Sequence, residues 1–151
     1  MKTRILAGIL SAAVLFAACA DDAPAEKVKG SYNCKVTVNS HYQKNGEWRD
    51  TTYTYGNGSV SIGKIDDNIA TVKLTNSRLN IDETYDTVRL TDFNYQVNLS
   101  TSKDSIGING SRYKALFSGT VTADPKTIAL SLKVENYPYS SGKYILSFTS
   151  N

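Results

Sequence analysis

From about residue 30 to the end of the chain, apolar and polar residues alternate almost one for one, and no helical period of any length interrupts them. A period of two belongs to a strand with one buried face, so the pattern commits the chain to antiparallel sheet. Tyr32, Cys34, Val36 and Val38 alternate with Asn33, Lys35, Thr37 and Asn39, predicting a first strand over 31–40. Asn45-Gly46 is a turn signal, and Trp48 to Tyr55 reads as a second strand ended by Gly56-Asn57-Gly58. Val60 and Ile62 mark a short third strand. Ile69–Leu74 is the fourth, after an Asp66-Asp67-Asn68 turn. A brief extended piece at Leu79 and Ile81, a fifth strand over Thr84–Leu90 and a sixth through Phe93, Tyr95, Val97 and Leu99 follow. Ser100 to Gly110 reads as a loop with a short strand at Ile106–Ile108. Three strands close the chain as a meander, with inward faces Tyr113-Ala115-Phe117-Val121, Ile128-Leu130-Leu132-Val134 and Tyr144-Leu146-Phe148. About eight strands with short connections predict an all-β domain, either a sandwich or a single antiparallel up-and-down β-barrel. Closure of a barrel removes exposed edges.

The beginning of the chain obeys different rules. Lys2 and Arg4 precede a fourteen-residue apolar run, Ile5 to Ala18, and small residues lead up to Cys19. The run is too short for a spanning helix, which needs about 20 residues. It resembles a bacterial lipoprotein signal, with cleavage before Cys19 and lipid attached to its sulfur. The expected organisation is a signal peptide over 1–18, a lipidated acidic tether over 19–28 and one domain over 29–151. The stretch Ala20-Asp21-Asp22-Ala23-Pro24-Ala25-Glu26 suits a solvated tether. It also resembles the surface-export signal of Bacteroidetes lipoproteins. The expectation is a protein of the outer membrane, lipid-anchored and exposed at the cell surface.

Without residues 1–18, the 151-residue chain keeps 133, which suits one core. The net charge of +3 includes Lys2 and Arg4, so the remainder carries only +1. No basic stripe is left to suggest nucleic acid. With Cys19 taken by lipid, Cys34 has no intrachain partner, and its place on an apolar strand face marks it as a small buried hydrophobe.

Two patches carry a likeness to a family. Lys29-Gly30-Ser31-Tyr32 stands where lipocalins open their first strand with Gly-x-Trp, although Tyr32 replaces the tryptophan. Phe117 to Thr122, Leu130-Ser131-Leu132 and Tyr144 to Thr149 are similar to that family's closing strands. The chain thus resembles the calycin-like, or lipocalin-like, β-barrel lipoproteins of Bacteroidetes. The resemblance implies an eight-stranded up-and-down barrel, and ligand binding by analogy alone.

Residues with chemistry are few. His41 is the single histidine, which disfavours a zinc or haem site. No Gly-x-Ser-x-Gly surrounds any serine. Asp66-Asp67 reads as a turn. Asp82-Glu83 with Asp86 reads as a solvated edge, with a calcium site as the alternative. No catalytic residue, metal or cofactor is expected, and the protein is not expected to be an enzyme. Asp50-Thr51-Thr52, Asp86-Thr87-Val88 and Asp104-Ser105-Ile106 resemble Bacteroidetes O-glycosylation acceptors.

The ten tyrosines are the unusual part of the composition. Tyrosine fits a pleated surface, and it also supplies an apolar ring with a polar tip. The expected ligand-binding set is Trp48, Tyr53, Tyr55, Tyr85, Tyr95, Tyr113 and Tyr144, lining a pocket for a small, partly apolar molecule. Trp48, Tyr137 and Tyr139 form an alternative set, a loop patch contacting a protein or a glycan over a filled barrel. In either case the partners expected are a membrane, reached through the lipid, and a ligand or macromolecule met by a monomer.

Overall fold

A computed structural model describes residues 22–93, 95–137 and 142–150. Cys19, the signal segment, Pro138 and Tyr139 lie outside the described residues. Among the described residues the predicted period of two is realised as nine strands: β1 Gly30–Lys44, β2 Glu47–Asp66, β3 Ile69–Asn76, β4 Ile81–Phe93, β5 Gln96–Ser100, β6 Ser105–Ile108, β7 Ser111–Thr122, β8 Thr127–Glu135 and β9 Lys143–Thr149. All pair antiparallel, in the order β5-β4-β3-β2-β1-β9-β8-β7-β6, and β5 also pairs with β7. That last pairing returns the sheet on itself, so eight of the strands form a ring of neighbours.

Two boundaries differ from the sequence reading. The second and third predicted strands are one, β2, because Gly56-Asn57-Gly58 does not end it. Gly58 serves close approach instead. A Cβ there would lie 2.5 Å from Thr75 O, 2.7 Å from Val36 and 3.1 Å from the Phe148 ring. The predicted sixth strand is divided, with Phe93 ending β4 and Gln96 opening β5. The short strand expected at Ile106–Ile108 is β6, which begins one residue earlier at Ser105. β5 and β6 lie end to end against one partner: Gln96–Ser100 face Thr122–Ser118, and Ser105–Ile108 face Lys114–Ser111. They act as one interrupted strand, joined where Ala115 N–H donates to Asp104 O at 2.7 Å.

The interruption leaves a seam. Among the described residues no strand ladder joins β4 to β6. Glu83 of β4 fills the gap. It is 5% exposed and accepts from Gly107 N–H of β6 at 3.0 Å, from Arg112 Nη1 at 2.6 Å and from Lys103 Nζ. Lys103 Nζ also donates to Thr84 O at 2.6 Å. Burial pushes the Glu83 carboxyl up, but the Lys103 hydrogen bond, the Gly107 N–H and the charges of Lys103 and Arg112 prevail and hold it below its ordinary value. Glu83 is therefore not on a solvated edge as expected. It lies in phase with buried Ile81 and Tyr85 on the inner face, while its neighbour Asp82 points outward to Lys73 at 2.8 Å.

The inner face is densely filled. Val36, Val60, Val72, Leu74, Val88, Val121, Leu132 and Phe148 are wholly buried. One end is stoppered by a five-residue helix, α1 Pro24–Val28, which starts on proline and buries Ala25 and Val28. So short a helix has no stability of its own. Ala25 N–H donates to Asp67 O at 3.1 Å, and the Tyr32 hydroxyl donates to Val28 O at 2.6 Å. Cys34 is buried, and desolvation pushes its thiol up to about 11.

Candidate functional site

Among the described residues no helix covers the other end of the ring. On β1, the inward parity of Val36 and Val38 continues through Ser40 to Tyr42. β2 runs beside it, with Tyr53 opposite Val38 and a register shift near Val36 that brings Tyr55 into the same neighbourhood. β9 contributes Tyr144, which lies opposite Ser40. Tyr137, just beyond β8, folds inward over these strands. Together Val38, Ser40, Tyr42, Tyr53, Tyr55, Tyr137 and Tyr144 line a cavity of about 200 Å³.

The rings brace one another. Tyr137 meets Tyr113 edge-on at 4.9 Å and Tyr144 edge-on at 5.8 Å, while Tyr53 and Tyr55 lie 6.4 Å apart. Edge-to-face pairs of this kind contribute about 0.5–1.5 kcal/mol each beyond simple burial. Gly142 lets the chain pass close over this cluster, since a Cβ there would overlap the Tyr144 ring at 2.4 to 2.6 Å. Burial pushes the Tyr137 phenol up, with Tyr55 and Tyr113 beside it acting in the same direction, against a hydrogen bond with Asn109. The Tyr137 phenol is thus neutral at pH 7. Among the described residues no carboxylate, amine or imidazole lines the cavity. Such a wall stacks on an apolar face and exchanges hydrogen bonds with polar edges. It offers no ion pair.

Of the residues expected to bind ligand, Tyr53, Tyr55 and Tyr144 line this cavity, and Tyr113 supports it from behind through Tyr137. The other three lie elsewhere. Tyr85 is in the core against Phe117 at 4.9 Å, with its hydroxyl donating to Ser105 O at 3.2 Å. Tyr95 occupies the β4–β5 turn at the opposite end and is 90% exposed. Trp48 stands outside the ring on the β1–β2 hairpin, 60% exposed. Of the expected loop patch, Tyr137 is buried in the tyrosine cluster, Trp48 is exposed, and Tyr139 lies outside the described residues. Two lining residues, Tyr42 and Ser40, escaped notice, although the parity of the first strand runs straight through them.

Trp48 has another partner. Its indole stacks on His41 at 4.5 Å with the planes 7° apart, and His41 Nδ1 is 2.7 Å from Asp50 Oδ1. A shallow groove beside them is bounded by Asn39, Asp50, Thr52, Lys143 and Ile145. Among the described residues no three His, Cys, Asp or Glu side chains come together as metal ligands.

No family model matches the chain, and no curated protein does. A solved structure does. It is a Bacteroides fragilis protein provisionally described as an outer membrane protein, aligned with a TM-score of 0.55 at 18% sequence identity. The likeness is one of fold. It covers 86% of this chain and 53% of that one, so this chain spans about half the length of its structural relative.

Proposed function

We propose that the protein is a lipid-anchored binding module of the outer membrane, a calycin-like barrel whose tyrosine-lined mouth holds a small uncharged ring compound. The observation that carries this reading is the cavity of about 200 Å³ walled by five tyrosines, Val38 and Ser40. A void of about 150 Å³ is enough for a benzene ring, so one six-membered ring fits and a lipid chain does not. The dense packing below the mouth supports the same limit. Tyrosine faces favour an apolar ring face, and phenol and serine hydroxyls favour polar substituents at its edge. The ligand class is therefore a hydroxylated or phenolic monocycle, bound without covalent chemistry, so the reading is of a monomeric binder and not an enzyme. Location rests on the Lys2–Cys19 signal pattern and on the acidic residues after it. The fold likeness to a Bacteroides fragilis protein provisionally described as outer-membrane is in keeping with that pattern.

Backbone amide NMR with a panel of phenols and monosaccharides tests the reading. Millimolar binding is expected, with shifts at Ser40, Tyr55 and Tyr144 that Tyr55→Ala abolishes. A panel that leaves every amide in the mouth unmoved refutes it. A second reading, contact with a glycan or protein through the outer wall, draws on the exposed Trp48–His41 stack. It predicts that Trp48→Ala, and not Tyr55→Ala, removes binding.

A further inference from the structure

The end of the ring opposite the tyrosine cavity carries a surface of its own. α1 marks the place: Ala25 bonds the β2–β3 turn at Asp67, Lys27 pairs with Asp92 beside the β4–β5 turn, and Lys126 of the β7–β8 turn donates to Lys29 O. Three turns thus gather where the described chain begins. Three large apolar side chains stand exposed there: Ile65 at 55%, Phe93 at 64% and Tyr95 at 90%. Local geometry puts them outside. Ile65 is the extra residue of a bulge between Lys64 and Asp66, and bulges re-aim side chains. Phe93 pairs with Gln96 across the tight turn that holds Tyr95, whose carbonyl accepts from Ala123 N–H at 3.5 Å.

Three lysines around this trio are paired, while Lys126, Asp66 and Asp124 stand beside them. Lys27 pairs with Asp92, Lys29 with Glu26, and Lys64 with both Glu26 and Asp67. Exposed aromatic and aliphatic tips among lysines and paired carboxylates are the composition of a membrane interface, where rings sit at headgroup level and lysine stems lie along them.

We propose that this end seats on a lipid surface, with Ile65, Phe93 and Tyr95 entering the headgroup region and the tyrosine cavity facing away from it. The position of the chain start selects lipid as the occupant. Cys19 is three residues before Asp22, and extended chain spans at most about 3.3–3.6 Å per residue, so a lipid on Cys19 holds this end within about 11 Å of the bilayer. That clause rests on the lipid-anchor reading. Seating by these three side chains draws on apolar insertion, which salt does not screen.

The test uses the full chain in phosphatidylcholine vesicles whose acyl chains are brominated near the headgroup. Trp48 is the single tryptophan and sits at the far end. β1 alone is fifteen residues long, about 50 Å of strand at roughly 3.3 Å per residue. Native Trp48 emission is expected to be unquenched. Phe93→Trp in a Trp48→Phe background is expected to lose its emission severalfold, equally at low and high salt, and Tyr95→Trp repeats the measurement should the first variant fold poorly. Cosedimentation with the vesicles reports the anchor separately. A chain that sediments while both introduced tryptophans stay bright, or one in which Trp48 is quenched instead, overturns the seating and leaves the anchor standing. A chain that does not sediment overturns both.

Discussion

Glu83→Gln removes one negative charge from the seam between β4 and β6 and little else. The carboxylate accepts from Lys103, Arg112 and the Gly107 N–H. Hydrogen bonds to charged groups contribute about 1.5–3 kcal/mol each. Two considerations reduce the sum. Glutamine still offers one oxygen to Gly107 or Arg112. Lys103 and Arg112 are about a third and more than half exposed, so water resolvates them once the carboxylate is gone. The expected loss is about 2 kcal/mol at pH 7, or about 6–8 °C in melting temperature for a domain of this size. The pH dependence has a definite sign. Glu83 has a folded pKa below its unfolded one, so its contribution is complete above the unfolded value, about 4.3, and is lost as pH falls through the folded value. Thermal melts of wild type and variant, followed by circular dichroism from pH 7 to pH 3, should therefore converge in acid. Native-state hydrogen exchange should show faster exchange at the Gly107 amide in the variant. Equal melting temperatures at pH 7 would refute the argument that Glu83 holds the seam between β4 and β6. A gap that persists undiminished at pH 3 would show that side-chain shape, and not charge, was responsible.

Two further perturbations follow from the same geometry. Asn76 is buried, accepts from Leu79 N–H at 2.9 Å and donates to Tyr55 O and Asn57 O at 3.1 and 3.2 Å. Asn76→Ala should cost about 2–3 kcal/mol in urea titration, and Asn76→Asp nearly as much, because aspartate keeps the cap but cannot donate; a loss under about 1 kcal/mol in both contradicts this. Cys34, with its thiol pushed up to about 11 by burial, should resist iodoacetamide at pH 8 until denaturant is added, and rapid native labelling would show the site is open.

The sequence alone determined the class of fold and much of its register. Strict alternation admits only strands with one buried face, and Asn45-Gly46 and Asp66-Asp67-Asn68 put turns between strands where the structure has them, although Asp66 itself still belongs to β2. Those signals are local, carried by neighbours in the chain. Parity even held the answer for Glu83 and Tyr42, since each lies in phase with apolar residues, although polarity argued the other way. What the sequence could not decide is which parts of the chain meet across the ring. Tyr55, Tyr95 and Tyr144 are the same residue in similar settings, yet one end of the ring draws two of them into a cavity and leaves the third in water. Gly58 looked like a strand end because glycine is flexible, and only the approach of Thr75, Val36 and Phe148 shows that it is needed for its lack of a Cβ. Contacts between residues distant in sequence are set by closure of the sheet, and closure is a property of all eight ring strands together.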